Sequence, residues 1–327
     1  MPGDLDDGYE DDYGMPSRRN RAPEPGLHNL SRRIRQFWPL IATAVALVLY
    51  WTWPASTAVD WSRYAYVQYA TDEANLCNAL MVFDKLKTLG SKADRVLLHN
   101  PQWASEAQGG SDRNSHLLTV MRKKYGVVLK PVQLLDIRGK TSPAPMDGQP
   151  SSWDTSITKL RCFELTEYKR VLHLDSDITL FQHLDELFLL PQAPIAMPRA
   201  YWTDGVTGQW PLTSLMMLVE PNKAELEGML ATLREWRENS ANVSVKYDMD
   251  LLNDRYGASA LVLPHRPYAL LTAEFRRKDH SAYLGMIGGP SSSTSEWNAD
   301  EVLKEAKLVH FSDWCVIRNL GYVSSLC

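Results

Sequence analysis

The tripeptide Asp175-Ser176-Asp177 closes the apolar run Arg170-Val171-Leu172-His173-Leu174. Side chains alternate along a strand, so two carboxylates separated by one residue point the same way and can hold one divalent cation. Mg²⁺ and Mn²⁺ prefer carboxylate oxygen and fill their remaining positions with substrate phosphate and water, which makes such a pair a natural diphosphate clamp. Alone, the motif is a weak signal, because Asp-x-Asp also arises in solvated turns. The setting adds to it. Upstream, the segment Thr158 to Tyr168 has helical apolar spacing at Leu160, Phe163 and Leu165, and downstream Phe181 to Phe188 reads as a short helix. The carboxylates then sit at the carboxyl end of a strand, where ligands collect in open α/β sheets.

The elements that must position this pair follow from periodicity. Tyr64 to Ala70 is a strand pattern, and Thr71-Asp72 offers an N-cap to a helix through about Leu89, with Leu76, Leu80, Phe83 and Leu86 on one stripe. Arg95 to His99 reads as the second strand, His116 to Tyr125 as a helix and Val127 to Leu134 as the third strand. A Pro, Gly and Ser-rich loop from Gly139 to Trp153 precedes the helix before the two-Asp strand. This β-α-β-α order implies a mainly parallel, doubly wound sheet with right-handed crossovers.

With 327 residues, 44% hydrophobic and 23% charged, the chain can support one large domain with a substantial core. A net charge of -4 without a basic face argues against nucleic acid as a partner.

From Tyr64 to about Trp314 the chain resembles the family 8 glycosyltransferases, which include glycogenin and the fungal Golgi N-acetylglucosaminyltransferases of the glucose N-acetyltransferase type, and it is closest to the fungal group. The resemblance rests on Lys159-Leu160-Arg161, Leu174-Asp175-Ser176-Asp177, Ala196 to Trp202, Asp248-Met249-Asp250-Leu251-Leu252-Asn253 and His310-Phe311-Ser312-Asp313-Trp314, in family order. It implies a GT-A type fold and a retaining transfer of a sugar, N-acetylglucosamine in the fungal group, from a UDP-sugar to a mannose-containing glycan. It further implies that Asp175, Asp177 and His310 ligate Mn²⁺ or Mg²⁺, and that Tyr69, Ala70, Thr71 and Ser176 line the nucleotide. Lys159 matches a basic position near the donor phosphate and sugar. Asp248 matches a carboxylate facing the sugar, although a helix cap for Met249 to Tyr256 is an equal reading of its position.

Three departures stand out. Met249 replaces a frequent Gln, and Thr213-Ser214-Leu215 replaces Asn-Ser-Gly. After the His-Phe segment the family carries a Lys-Pro-Trp element whose lysine binds diphosphate, whereas here Cys315 to Tyr322 follows and only Arg318 offers a cation. That change raises a second reading, a weak or inactive pseudoenzyme that binds glycan or a partner transferase. A third is a haloacid-dehalogenase-type phosphatase, with Asp175 as nucleophile, Asp177 as acid/base and Asp250 and Asp254 as the later acidic pair. It gives no role to His310, and its core strand would come first in the chain rather than after three βα units.

Residues 1 to 36 read as a disordered tail, acidic from Asp4 to Asp12 and basic from Arg18 to Arg35. Phe37 to Val59 carries no charge and is long enough to cross a lipid bilayer, which takes about 20 apolar residues. Trp38, Tyr50, Trp51 and Trp53 suit its interfaces, and the preceding arginines put the amino side in the cytoplasm. A cleaved signal peptide fits less well, because its basic region starts nearer the first residue. The expected protein is a single-pass type II Golgi membrane protein with a lumenal domain over residues 60 to 327. Its four cysteines, Cys77, Cys162, Cys315 and Cys327, are too sparse for a disulfide framework, and Cys77 and Cys162 read as core. In this topology Asn242-Val243-Ser244 is glycosylated and Asn29-Leu30-Ser31 is bare, a difference that peptide mapping of the secreted-pathway protein checks.

Overall fold

The computed structural model describes residues 37–40, 42–45, 48, 58–136, 155–203, 210–239, 246–285 and 296–311. The chain divides into two units, Met1–Val59 and Asp60–Cys327. In the first, residues 37–40, 42–45 and 48 are helical and exposed. Among the described residues no helix is long and apolar enough to cross a membrane. The tail, most of the 37–59 segment, both glycosylation motifs, the loop from Gly139 to Trp153, and everything after Phe311 lie outside the described residues.

The second unit is built on a seven-stranded sheet of order β3-β2-β1-β4-β7-β6-β8. β1 (Tyr64–Ala70) has the bounds its Tyr and Val pattern predicts, and α1 (Glu73–Thr88) follows once the Asp72 carboxylate accepts the Asn75 N–H. β2 (Asp94–His99) pairs parallel with β1. α2 (Arg113–Tyr125) is capped by Asp112 and ends at Gly126, whose φ of 68° is left-handed backbone that glycine adopts without strain. β3 (Val128–Pro131) pairs parallel with β2 and stops short of the predicted Leu134.

β4 (Arg170–Leu174) pairs parallel with β1, so the first four strands run one way, as expected. β6 (Ile195–Pro198), β7 (Met216–Val219) and β8 (Leu261–Leu263) depart from a wholly parallel pattern. β7 is antiparallel to both β4 and β6, while β6 and β8 are parallel. The sheet is mixed and mostly parallel.

Both faces are covered. One buries Leu76, Leu80, Phe83 and Leu86 of α1 with Leu117, Leu118 and Met121 of α2. The other buries Ile157, Leu160 and Phe163 with residues of α3 (Lys223–Asn239) and α4 (Asp248–Tyr256). β1 serves both, sending Tyr66 to one face and Val67 and Tyr69 to the other. The segment predicted as an α-helix before β4 is instead a 3₁₀ stretch, Ser156–Glu164, because its i, i+3 apolar spacing fits three residues per turn equally well. The short helix expected from Phe181 is likewise 3₁₀ and begins at Asp185. Cys162 is buried and free, as read; Cys77 is buried too, but disulfide-bonded.

A smaller sheet of order β5-β10-β9 joins β5 (Ile178–Leu180), β10 (Leu308–His310) and β9 (Leu270–Leu271). It backs an aromatic cluster that includes Tyr201, Trp210 and Tyr283. Phe83, fully buried between α1 and the main sheet, tests how far that core carries the fold. Phe83→Ala is expected to cost about 3–5 kcal/mol in urea unfolding of the full chain.

Candidate active site

The Asp175-Ser176-Asp177 tripeptide lies just past the end of β4 and bridges the two sheets. The Asp175 N–H donates to Leu215 O at 2.8 Å, which keeps it beside β7 of the main sheet. Three residues on, at Ile178, the chain has joined the small sheet as β5. Antiparallel pairing then sets His310 opposite Ile178, and the Phe311 N–H donates to Asp177 O at 2.8 Å. The pair is therefore held by a turn between sheets, rather than by one face of a continuous strand. The outcome resembles what alternation along a strand would have given, because each neighbouring sheet fixes one of the two carboxylates.

Asp175, Asp177 and His310 offer three ligand atoms that all lie within 4.8 Å of one another. His310 Nε2 stands 3.1 Å from Asp177 Oδ1, and its Nδ1 is buried without a hydrogen-bond partner among the described residues. Burial works against charge on this imidazole, but the hydrogen bond to Asp177 and the charges of Asp177 and Asp175 raise its pKa above the usual histidine value. Asp177 sits below the usual carboxylate range despite its burial, for the same reason. Two carboxylate oxygens and one imidazole are a donor set suited to Mn²⁺ or Mg²⁺, so the residues present fit such an ion.

Beneath this group lies a buried ion cluster. Lys159, on the 3₁₀ stretch, is 3% exposed. Its Nζ stands 2.7 Å from Asp175 Oδ1, 2.9 Å from Asp248 Oδ2 and 3.3 Å from Ser214 Oγ. An ammonium carries three protons, and three acceptors surround this one. The charge of Lys159 is thus directed at two carboxylates, and its position sets Asp175 from below. Burial opposes its ionisation, yet Asp175 and Asp248 hold its pKa well above the ordinary lysine value. Burial raises the Asp175 carboxyl, Lys159 pulls it back, and the nearby Asp177 adds to the rise, leaving it above its ordinary value.

Asp248 is the first residue of α4, but its side chain does not cap that helix. Asp250 does, accepting the Tyr247 N–H at 2.8 Å. The Asp248 carboxylate accepts from Ser156 Oγ at 2.9 Å and Ser214 Oγ at 2.5 Å. Burial pushes it up, but Lys159 and the Ser214 and Ser156 hydroxyls prevail and hold it down to about 2. These two serines are site residues that pattern reading misses, since a hydroxyl has no distinctive spacing.

The predicted nucleotide residues fall into two groups. Tyr69 is buried, its ring 5.9 Å from the Lys159 ammonium and 5.6 Å from the His173 ring. Burial and then Lys159 hold the His173 pKa well below the usual histidine value. Ala70 ends β1, and its carbonyl accepts the Asn100 N–H at 3.2 Å. Thr71 and Ser176 are both hydrogen-bonded to Asn75, a residue the sequence did not single out.

No family model matches the chain. Among individual relatives, the glucose N-acetyltransferase 1 of Aspergillus fumigatus is 44% identical over 307 residues, covering 89% of this chain and 76% of that protein. The chain belongs to the fungal glucose N-acetyltransferase family. The member from Gibberella zeae is 44% identical over 79% of this chain and 53% of its own length, so the chain spans about half of that relative. The Candida glabrata member is 31% identical, with 83% and 73% covered. Among solved structures, the galactosyltransferase LgtC matches with a TM-score of 0.51 at 15% identity, over 76% of this chain and 87% of that one. The glycosyltransferase GlyE of Streptococcus pneumoniae matches with a TM-score of 0.50 at 13% identity, over 78% and 55%. The fold is of the GT-A glycosyltransferase type, and the family relationship makes the chain a glycosyltransferase homologue.

Lys159→Met leaves two buried carboxylates without their cation and is expected to destabilise the fold by about 3–5 kcal/mol in thermal or urea unfolding. Ser214→Ala, which removes one hydrogen bond to Asp248, is expected to cost about 1–3 kcal/mol.

Proposed function

We propose that this member of the glucose N-acetyltransferase family is a retaining, metal-dependent glycosyltransferase that moves N-acetylglucosamine from UDP-N-acetylglucosamine to a mannose-containing glycan. The observation that carries this reading is the convergence of Asp175, Asp177 and His310 at the carboxyl end of β4, in a GT-A type fold. The donor sugar is inferred from the resemblance of the sequence to the fungal group, whose relatives are 44% identical to this chain. A bound Mn²⁺ or Mg²⁺ would neutralise charge on the departing diphosphate.

The chain's own residues supply position. Lys159 holds the Asp175 carboxylate from below, and the Ser156 and Ser214 hydroxyls hold Asp248 ionised. An ionised Asp248 offers a fixed negative charge for donor hydroxyls or for positive charge developing on the sugar. Tyr69, Ala70, Thr71 and Ser176 are assigned to the nucleotide side. A Golgi-lumenal, type II placement through residues 37–59 is part of the proposal; the Cys77 disulfide supports it, since such bonds persist in oxidising compartments.

The phosphatase reading loses its second acidic pair. Asp250 caps its own helix, Asp254 is exposed with Lys246 at 3.7 Å, and neither belongs to the group around Asp175. A weak or inactive glycan-binding protein remains the second reading, on the observation that Cys315-Val316-Ile317-Arg318 stand where the family carries its Lys-Pro-Trp element. Both are tested by incubating the full chain with a panel of UDP-sugars and a mannose oligosaccharide. The expected result is sugar transfer that chelation abolishes and Mn²⁺ restores, with Asp177→Asn lowering kcat/KM by about 10²–10³. Metal-independent phosphate release without a nucleotide sugar would establish the phosphatase, and absence of both hydrolysis and transfer would establish the pseudoenzyme.

A further inference from the structure

The turn after β1 and the turn after β4 meet at one side chain. The Asn75 N–H donates to Asp72 Oδ1 at 2.8 Å, which fixes Asn75 in the first turn of α1. Its Nδ2 donates to Asp72 Oδ2 at 3.1 Å and to Thr71 Oγ1 at 3.3 Å, and its Oδ1 accepts from Ser176 Oγ at 3.2 Å. The orientation of the amide is forced: a carboxylate only accepts, so the Nδ2 end must face Asp72 and the Oδ1 end is left for Ser176. Thr155 Oγ1 adds a hydrogen bond to Thr71 Oγ1 at 3.2 Å from the far side. Ser176 is buried between the two acidic residues, so fixing it fixes the backbone that carries Asp175 and Asp177.

We infer that Asn75 is a positioning residue that couples the nucleoside end of the site to its metal end through the chain Thr71, Asn75, Ser176. The inference rests on the proposed transferase reading, in which Thr71 meets the nucleotide and Asp175 and Asp177 meet the ion. A nucleoside seated on Thr71 restrains the Asn75 amide, and the amide restrains Ser176. The ion then binds carboxylates whose ordering has already been met, and the effect is reciprocal. Asn75 touches no reacting atom in this scheme, and it acts through its two neighbours.

Uridine isolates this path, because without phosphates it has no group that bridges directly to the ion. Mn²⁺ binding to the full-length protein is titrated by calorimetry, with and without saturating uridine. Uridine is expected to tighten Mn²⁺ binding about fivefold, the low end of ordinary coupling between sites. Asn75→Ala and Ser176→Ala should each abolish that factor, and the double variant should lose no more than either single one. Alanine is a better helix former than asparagine, so α1 survives the first substitution, and the second lies outside any helix; uridine affinity without Mn²⁺ is measured for both, so that a lost nucleotide contact is told apart from lost coupling. Coupling that persists in Asn75→Ala overturns the inference, as does a wild type in which uridine leaves Mn²⁺ affinity unchanged while UDP and Mn²⁺ still bind together. A wild type that binds neither UDP nor Mn²⁺ overturns the transferase reading and this inference with it.

Discussion

The contact on which the site depends is the buried ammonium of Lys159 between Asp175 and Asp248. Two carboxylates at 17% and 6% side-chain exposure would repel each other and seek protons if left alone. One positive charge, placed within 3 Å of both, keeps Asp248 ionised and opposes the rise at Asp175. The remaining lone pairs of Asp248 go to two serine hydroxyls, so the deep end of the cluster is satisfied and rigid. The shallow end is not closed in this way. The Asp177 carboxylate meets the His310 imidazole, whose Nδ1 has no partner among the described residues, an asymmetry that fits a cation on that side.

Much of this was legible in the sequence wherever one local rule decided the outcome. β1 and α1 have their predicted places because a Tyr and Val alternation ends at an Asp that can cap a helix. The two-Asp turn and its position after β4 followed from an apolar run long enough to be a buried strand. The 3₁₀ stretch before β4 did not, since Leu160 and Phe163 satisfy three or three-and-a-half residues per turn alike. Strand direction was also hidden: Met216 to Val219 is apolar whichever way it runs, and only its partners make it antiparallel.

The site residues divide along the same line. Asp175 and Asp177 were visible from their spacing at a strand's end, whereas His310 was reached only through the resemblance to the family. Asp248 stood equally well as a cap, and only the hydroxyls of Ser156 and Ser214 decide its role, contacts that span 92 and 34 residues of sequence. Asn75 resembled any polar residue early in a helix. Its importance comes from the Ser176 hydroxyl, 101 residues away.

The turn between sheets has a mechanical implication. Asp175 is tied to the seven-stranded sheet and His310 belongs to the three-stranded one, so a cation gripping both would add a polar rivet between two layers that otherwise meet through buried apolar side chains such as Ile178, Leu180 and Leu308. Stripping the ion would then loosen an architectural seam as well as disarm the chemistry, and the protein's resistance to heat and proteolysis would track the supply of metal in its compartment.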